Sequence, residues 1–542
     1  MRKIAIGVAI AAVVNALLQA PRWAASGNPL HLLAPAPEFA AALVALWLVY
    51  GARGAAARQS RGGLGVVQAV RCLAAAVLAV VIAFALGETF TRAIYAEGFR
   101  PLQDLAFLPA FTAMLGVPPR LAQTAGLAPL LVLIWLALAG LAYRGLAPAT
   151  WHQADRPTGH TRSIGLWALT LGAIAAGTIS ELSAGPALSV RMVRAVTPSA
   201  AQFVPQTVPT GDDGPVQAAF EPQPVASAGP TAQDVSVIVV ESYGRTVFAN
   251  RSHRDRLAPL FAQLDRAADE AGYLVRSGLL RSPAFGGRSW LADATILTGQ
   301  WIADQSVYEQ MFDALRWSVV TAARDAGVVS FYSAPGTTYY EDGWHALFPF
   351  DHRYIAREHD YRGPVFDFGR LTDQYLLHHL AGRRNTLAPD SPALLVAILV
   401  SNHVPFRVVP PYLEDWSQLG DGSIYHSLQR LTFENRWLSG GEYAEGFAAG
   451  VAYSLRSAFG YVTEHAREGE LVIVVGDHQP RRPISEERPT TMVPFHLITR
   501  DPRRLEQFAT LQVVDGWVPT VVDQAAGLEV LATMIAAAIA RD

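Results

Sequence analysis

The chain has 542 residues, of which 51% are hydrophobic and only 16% are charged, and its mean hydropathy is +0.21. This composition is too apolar for a wholly soluble protein of this length. Lys and Arg total 43 against 46 Asp and Glu, so the net charge of -3 provides no basic surface for nucleic acid, and no nucleic-acid partner is expected. The single cysteine, Cys72, excludes an internal disulfide framework. The sequence therefore indicates a membrane-attached protein with at least one large globular domain.

The apolar excess lies in the first third of the chain, where charged residues are scarce. Five apolar runs predict transmembrane helices: residues 4–20, 39–50, 72–86, 121–143 and 163–180. The fourth run alone can cross a hydrocarbon core of about 30 Å, and the second and third gain length from apolar flanks. Gln19, Ala20 and Pro21 make a poor signal-peptide cleavage site, so we expect the first run to be retained. The sequence therefore predicts a five-helix transmembrane bundle over residues 1–190.

The positions of the arginines predict the orientation, because short cytoplasmic loops carry an excess of positive charge. The chain starts with Met1, Arg2 and Lys3, and four further arginines crowd the second loop between residues 53 and 71. In the third loop, acidic residues offset the arginines. The N-terminus is therefore predicted to lie inside, and five spans place everything after Ser180 outside the cytoplasmic membrane.

The chain changes character after the last predicted span. Seven prolines recur between Thr197 and Asp234 among Ala, Gln, Ser and Gly, so we expect residues 191–234 to form an extended linker. Beyond it, four continuous apolar runs predict strands at residues 235–240, 328–332, 394–400 and 471–475. Helical spacing of apolar residues predicts helices at 256–271, 307–326, 371–380 and 443–465. Residues 235–542 are therefore predicted to form an α/β domain whose sheet is buried on both faces.

Ionisable residues directly follow the first and last of these predicted strands. Glu241 comes after residues 235–240, and Asp477 and His478 follow residues 471–476. Ligand sites of such sheets lie beyond the carboxyl ends of the strands, and oxygen and imidazole ligands suit Mn, Zn or Mg. The alternative is that each polar residue simply ends its strand.

A serine lies at the start of a predicted helix in the segment that begins with Phe285. Ser289 follows Gly286, Gly287 and Arg288 and precedes a helical pattern. A hydroxyl at this position would lie at a helix N-terminus, whose amides favour anions. The alternative interpretation is an ordinary N-cap serine.

Together these segments resemble the lipoteichoic acid synthase and phosphoglycerol transferase family, in the sulfatase-like branch of the alkaline phosphatase superfamily. The motifs are Glu241 after a strand, Phe285-Gly-Gly-Arg-Ser289, Leu297-Thr298-Gly299, Ser401-Asn-His403-Val-Pro-Phe406 and Gly476-Asp477-His478. The resemblance implies five N-terminal spans followed by an extracytoplasmic domain of alkaline phosphatase/sulfatase type. It also implies a bacterial inner-membrane protein with a periplasmic or extracellular catalytic domain.

The resemblance further implies the roles of the site residues. Glu241, Ser289, Asp477 and His478 would bind one divalent metal ion, Mn first, with Zn and Mg as alternatives. Ser289 would be the nucleophile, where the family usually has threonine, and His403 would contact the phosphate. A serine hydroxyl needs a base or a metal to become nucleophilic, which fits this set of residues.

The implied reaction transfers a phospholipid head group, taken from a donor in the outer leaflet, through phospho-Ser289 to a glycan or lipid acceptor. Arg288, Tyr340, Asp342, Trp344 and His403 are predicted to bind substrate. Where the family has an arginine, this chain has Asp342, which together with aromatic residues would suit an ammonium group and hence phosphoethanolamine. Glycerophosphate is favoured over phosphoethanolamine, and we expect a monomer.

Other functions remain alternatives. Ser289 is followed by Trp290 and Leu291 instead of the x-Pro-x-Arg of a sulfatase, so a true sulfatase is disfavoured. A two-zinc phosphatase is also less favoured, because a second metal ion would need further Asp and His ligands. Only His496 lies in a plausible strand as a candidate for such a ligand. A phospholipid or phosphodiester hydrolase, and a binding protein or sensor without turnover, would use the same residues.

Overall fold

The computed structural model describes two parts of the chain. Toward the N-terminus it describes residues 13–18, 20, 61–95, 137 and 139; in the C-terminal part it describes 232–337, 344–355, 358–366, 371–404, 406, 408–428, 440–481, 484–485 and 490–540. The chain divides into two compact units, Met1–Gln206 and Thr207–Asp542. The boundaries predicted at residues 190 and 234 stay predictions.

A long apolar helix is the main described element of the first unit. Helix α1 spans Arg61–Tyr95, and its segment Cys72–Thr89 has the length and composition needed to cross a membrane. At 1.5 Å per residue, those 18 residues extend about 27 Å. No other helix in the described part of the chain passes this test. The other four predicted spans lie mostly outside the described residues, so the five-helix bundle stays a prediction.

The second unit is an α/β domain with one large sheet. Its strands are β1 Val235–Val240, β2 Leu274–Arg281, β3 Val329–Ala334, β4 His352–Ile355, β5 Ala393–Leu399, β6 Leu471–Gly476, β7 Met492–Thr499 and β8 Val513–Asp515. Its helices are α2 Thr246–Ala249, α3 Arg251–Glu270, α4 Ser289–Thr298, α5 Gln305–Ala314, α6 Val319–Asp325, α7 Trp344–Leu347, α8 Asp373–Leu387, α9 Tyr425–Leu428, α10 Gly440–Glu464 and α11 Val530–Ile539. Short 3₁₀ helices span Trp416–Gln418 and Pro502–Phe508.

The sheet is mixed and has the strand order β4-β3-β5-β1-β6-β7-β2-β8. Strand β1 pairs in parallel with both β5 and β6, and β3 pairs in parallel with β4 and β5. Strand β7 is antiparallel to both β6 and β2, so β2 runs in the same direction as β6. The carboxyl ends of β1, β2, β5 and β6 therefore meet at one edge of the sheet.

Helices cover both faces of the sheet, which explains the continuous apolar strands. In β1, Ile238 and Val240 belong to one buried cluster, whereas Val235, Val237 and Val239 belong to the other. Successive side chains of a strand point to opposite faces, so a strand covered on both sides is apolar at nearly every position. The one polar residue of β1, Ser236, is buried and donates to Glu470 Oε1. Residues of α3, α8 and α10 pack on the first face, and residues of α4, α5, α6 and α11 pack on the second.

The four predicted strands all exist, with ends that differ by at most two residues. The helix predicted over residues 307–326 is wrong as one element, because the chain is extended at Leu315 and again at Ser318. Ser318 starts a new helix: its hydroxyl accepts from the Thr321 amide and the Thr321 hydroxyl accepts from the Ser318 amide. This reciprocal cap stabilises a helix start inside an otherwise continuous apolar pattern.

Candidate metal and nucleophile site

The carboxyl edge of the sheet brings the predicted site residues together. Glu241 follows β1, Asp477 and His478 follow β6, and His403 lies in the turn after β5. Ser289 begins α4, after the loop that leaves β2. Parallel strands end at the same edge, so residues more than 200 positions apart in sequence become neighbours.

Glu241 and Asp477 lie side by side because β1 and β6 are adjacent and in register. Val240 pairs with Gly476, and the Asp477 amide continues the ladder to the Val240 carbonyl at 3.3 Å. Gly476 is required at this point, because a Cβ atom there would lie 1.8 Å from the carbonyl oxygen of Tyr243. The close approach of the chain after β1 thus depends on a residue without a side chain.

Three buried side chains form a candidate metal centre. The ligand atoms of Glu241, Asp477 and His478 all lie within 4.8 Å of one another. His478 Nε2 is 3.4 Å from Glu241 Oε1 and 3.5 Å from Asp477 Oδ2. Two carboxylates and an imidazole are ligands suited to a divalent cation such as Mn or Zn. The residues present therefore fit one divalent metal ion.

The electrostatics of the three side chains also fit a cation. Burial, together with the charge of Glu241, raises the pKa of Asp477 to about 7. Burial opposes ionisation of Glu241 too, but the charges of His478 and His403 hold its pKa below the usual value. The charges of Asp477 and Glu241 raise the pKa of His478 despite its burial. Two carboxylates in one buried site are unfavourable without a positive charge between them.

Ser289 is the first residue of α4, and its hydroxyl faces the candidate metal ligands. Its Oγ donates to Glu241 Oε2 at 3.1 Å and lies 3.2 Å from His478 Nε2. The residue before the helix is Arg288, and no side chain caps the helix start. The N-cap interpretation of Ser289 is therefore wrong.

The loop before Ser289 has an unusual backbone. Gly286, Gly287 and Arg288 all have positive φ angles, of 69°, 145° and 65°. The Gly286 amide bonds to the Gln479 carbonyl at 2.9 Å, which ties this loop to the segment directly after His478. A non-glycine residue at positive φ costs conformational energy, and such residues cluster at functional sites. The turn directs Ser289 toward the sheet edge.

His403 lies near these groups, in a turn whose backbone amides are bound by the side chain of Asp373. Its Nδ1 donates to the Val404 carbonyl at 2.6 Å, so the neutral ring keeps Nε2 unprotonated. Burial lowers the pKa of His403, and the charge of Glu241 opposes that effect. Asp373 Oδ1 accepts from the Val400 and Ser401 amides, both at 3.0 Å, and thereby fixes the turn that carries His403.

Of the remaining predicted substrate residues, the structure describes only Trp344 and Arg288. Tyr340 and Asp342 lie outside the described residues. Trp344 is 7% exposed and packs against Tyr332 and Phe350, the environment of a core side chain. Arg288 directly precedes Ser289 in the left-handed turn. The substrate contacts of these four residues stay predictions.

His496, the one candidate for a further metal ligand, is engaged elsewhere. Its Nε2 lies 2.9 Å from the Tyr243 hydroxyl, and its Nδ1 lies 2.6 Å from the Ser277 hydroxyl. Burial lowers its pKa to about 3. Both ring nitrogens thus bond within the core of the domain, and the ring is neutral there.

Sequence reasoning missed several side chains around the site. Ser242 and Asn402 hold the segment that carries Glu241, with Asn402 Nδ2 donating to the Glu241 carbonyl at 3.0 Å. Burial and the charges of Asp477 and Glu241 raise the pKa of Asp293 well above its usual value. Asp293 lies one helical turn after Ser289, so the i, i+4 spacing could have identified it.

Comparison with known proteins gives matches at the level of structure alone. No protein-family model matches the sequence, and no curated protein matches it. Matching solved structures include lipoteichoic acid synthase LtaP from Listeria monocytogenes (13% identity, TM-score 0.33, 49% of this chain and 65% of that chain). Another is phosphoglycerol transferase GacH from Streptococcus pyogenes with sn-glycerol-1-phosphate (12% identity, TM-score 0.32, 50% of this chain and 69% of that chain). A third is the soluble domain of lipooligosaccharide phosphoethanolamine transferase A from Neisseria meningitidis (11% identity, TM-score 0.34, 54% of this chain and 83% of that chain).

These matches include the enzymes that the sequence motifs resemble. The chain spans just under two thirds of the LtaP structure.

Proposed function

We propose that this chain is a membrane-bound, metal-dependent transferase that moves a phospholipid head group, glycerophosphate in first place, through a phosphorylated Ser289. The supporting observation is the position of the Ser289 hydroxyl, 3.1 Å from Glu241 Oε2 and 3.2 Å from His478 Nε2. Helix capping does not account for that position. The position is the one expected of a nucleophilic hydroxyl next to the groups that activate it.

Glu241, Asp477, His478 and Ser289 would hold the metal ion, with Mn favoured and Zn and Mg as alternatives. A bound divalent cation lowers the pKa of a hydroxyl and offsets the charge of phosphoryl oxygens. The first-turn amides of α4 add a partial positive charge on the same side, because a helix N-terminus favours anions. The site thus suits an anionic phosphodiester.

The proposed reaction has two half-reactions. In the first, Ser289 Oγ bonds to phosphorus, the bond from phosphorus to the diacylglycerol oxygen breaks, and that oxygen takes a proton. The Ser289 proton has an acceptor in Glu241 Oε2 at 3.1 Å. In the second, an acceptor hydroxyl attacks the phospho-serine and Ser289 regains its proton. His403 Nε2, unprotonated at rest, would take the acceptor's proton in the second half-reaction and release it to solvent, which supplies the proton that the leaving diacylglycerol oxygen takes in the first.

The cellular setting follows from the N-terminal part. Helix α1 contains an apolar segment long enough to cross a bilayer, and the arginine pattern predicts an outer location for the catalytic domain. The donor would then be a phospholipid of the outer leaflet, and the acceptor a glycan or lipid of the bacterial cell envelope.

Three alternatives use the same residues. A phosphoethanolamine transferase differs only in the head group, and a phospholipid or phosphodiester hydrolase passes the head group to water. A sensor would bind the lipid or glycan without turnover. The mass of any adduct on Ser289 separates phosphoethanolamine from glycerophosphate transfer. Release of the head group to water without an acceptor would identify the hydrolase, and the absence of diacylglycerol release would identify the sensor.

The decisive experiment is mass spectrometry of the intact full-length protein after incubation with Mn²⁺ and phosphatidylglycerol or phosphatidylethanolamine. We expect a head-group mass on Ser289 and release of diacylglycerol. Ser289→Ala should lower diacylglycerol release by orders of magnitude, whereas Ser289→Thr should keep measurable activity because it retains a hydroxyl.

Ser306→Ala is a matched control, since Ser306 lies in the first turn of another helix and its hydroxyl accepts only an exposed bond from Gln310. It should turn over lipid like the wild type. Substantial turnover by Ser289→Ala with its metal still bound would contradict the covalent mechanism, because water would then attack directly.

A further inference from the structure

Ser242, the residue directly after Glu241, has a strained backbone in the middle of the site. Its φ angle is 55°, and it is one of three non-glycine residues with positive φ in the described part of the chain. A side chain with a Cβ atom is disfavoured in this left-handed conformation. Ser242 is also buried. Strain at a buried site persists only where the surrounding contacts compensate for it.

The compensating contacts are two hydrogen bonds to two different carboxylates. The Ser242 amide donates to Asp477 Oδ1 at 2.8 Å, and the Ser242 hydroxyl donates to Glu241 Oε1 at 2.7 Å. Both donors belong to one residue, so the spacing between the two carboxyl groups depends on the left-handed turn at Ser242. The left-handed turn therefore lets one residue bond to both carboxylates.

Each carboxylate also has a second oxygen close to another residue of the site. Glu241 Oε2 lies 3.1 Å from Ser289 Oγ, and Asp477 Oδ2 lies 3.5 Å from His478 Nε2. Ser242 engages Glu241 Oε1 and, together with the His478 amide at 2.6 Å, Asp477 Oδ1, and so contributes to the rotation of both groups about their side-chain bonds. Hydrogen bonds that orient metal-ligating carboxylates strengthen metal binding, and their loss typically weakens it about 10- to 100-fold.

We infer that Ser242 is a positioning residue that holds Glu241 and Asp477 in the orientation needed to bind the metal ion. The inference rests on the proposed metal site and names a residue that supports it without contacting the substrate. The hydroxyl orients Glu241, and the amide in its strained turn orients Asp477.

Two variants separate this role from a contribution to folding alone. Ser242→Ala and Ser242→Gly both remove the hydroxyl, but glycine adopts a positive φ without strain and alanine does not. We expect the dissociation constant for Mn²⁺, measured by calorimetry on the full-length protein in detergent, to rise about 10- to 100-fold in both variants. The metal-free glycine variant should nevertheless melt at a higher temperature than the alanine variant.

The outcomes distinguish this inference from the proposed function. Wild-type protein that does not bind Mn²⁺ would overturn both the proposed metal site and the role of Ser242. Wild-type affinity in both variants would overturn the role of Ser242 alone. Weakened binding in Ser242→Ala with wild-type affinity in Ser242→Gly would assign the effect to backbone strain and would also overturn it.

Discussion

Replacing Asp477 by asparagine should stabilise the metal-free protein at alkaline pH and abolish its stabilisation by metal. Burial and the charge of Glu241 raise the pKa of Asp477 to about 7. A carboxyl group with a higher pKa in the folded state than in the unfolded state, where it is about 3.9, favours the folded state only while protonated. Its ionisation therefore lowers the stability of the metal-free protein as the pH rises from about 4 to about 7.

The size of this effect follows from the linkage relation. At about 1.4 kcal/mol per pH unit, ionisation of Asp477 over that interval costs up to about 4 kcal/mol of unfolding free energy. Asparagine does not ionise, and its carbonyl can accept the same bonds from the Ser242 and His478 amides, which reach Oδ1 at 2.8 and 2.6 Å. Near pH 4 to 5 the variant and the wild type should have similar stability. At pH 8 the metal-free variant should melt on the order of 10 °C higher.

The assay is thermal denaturation of the full-length protein in detergent, with chelator at both pH values and then with excess Mn²⁺ at pH 8. Mn²⁺ at about 100 times its dissociation constant should add about 2.7 kcal/mol to the wild type, and little to Asp477→Asn. Asp515→Asn serves as the control, since the Asp515 side chain is 83% exposed, and its stability should stay close to that of the wild type at both pH values. A metal-free Asp477→Asn variant less stable than the wild type at pH 8 would refute the reasoning.

Two further predictions concern the turn of His403 and the membrane topology. Asp373→Ala leaves the Val400 and Ser401 amides without their acceptor, so we expect a loss of stability on the order of 3 kcal/mol and a clear fall in turnover. Asp373→Asn keeps an acceptor oxygen and should remain close to the wild type in both thermal denaturation and lipid turnover; equal loss in both variants would contradict this account. An alkaline phosphatase fused to the C-terminus should be active in cells, because the arginine pattern predicts that the domain lies outside. A cytoplasmic terminus would make the predicted topology wrong.

The sequence by itself determined the α/β class and the location of most site residues. Strands covered on both faces are apolar at nearly every position, so residues 235–240, in which Ser236 is the one polar residue, and residues 471–476 stand out without knowledge of their neighbours. The first polar residue after such a run marks the carboxyl end of a strand, and ligand sites lie at that end. For this reason the local pattern could single out Glu241, Asp477 and His478 as candidate ligands.

Strands β2 and β7 could not be identified in this way. Strand β2 contains Arg276 and Gly278, and β7 contains His496, which breaks the apolar run. His496 is tolerated there because Tyr243 and Ser277 bond to both ring nitrogens. Such compensation is invisible in the sequence, since the partners lie far away along the chain.

Only the tertiary structure decided which strand ends are neighbours and how their side chains are oriented. The contact between Ser242 and Asp477 joins residues 235 positions apart, and that between Ser289 and Glu241 joins residues 48 positions apart. The interpretation of Ser289 as a cap or a nucleophile depended on this, because both roles place a serine at the start of a helix. Strand order and register are set by the packing of the whole sheet, to which segments distant in sequence contribute together, so local periodicity cannot specify them.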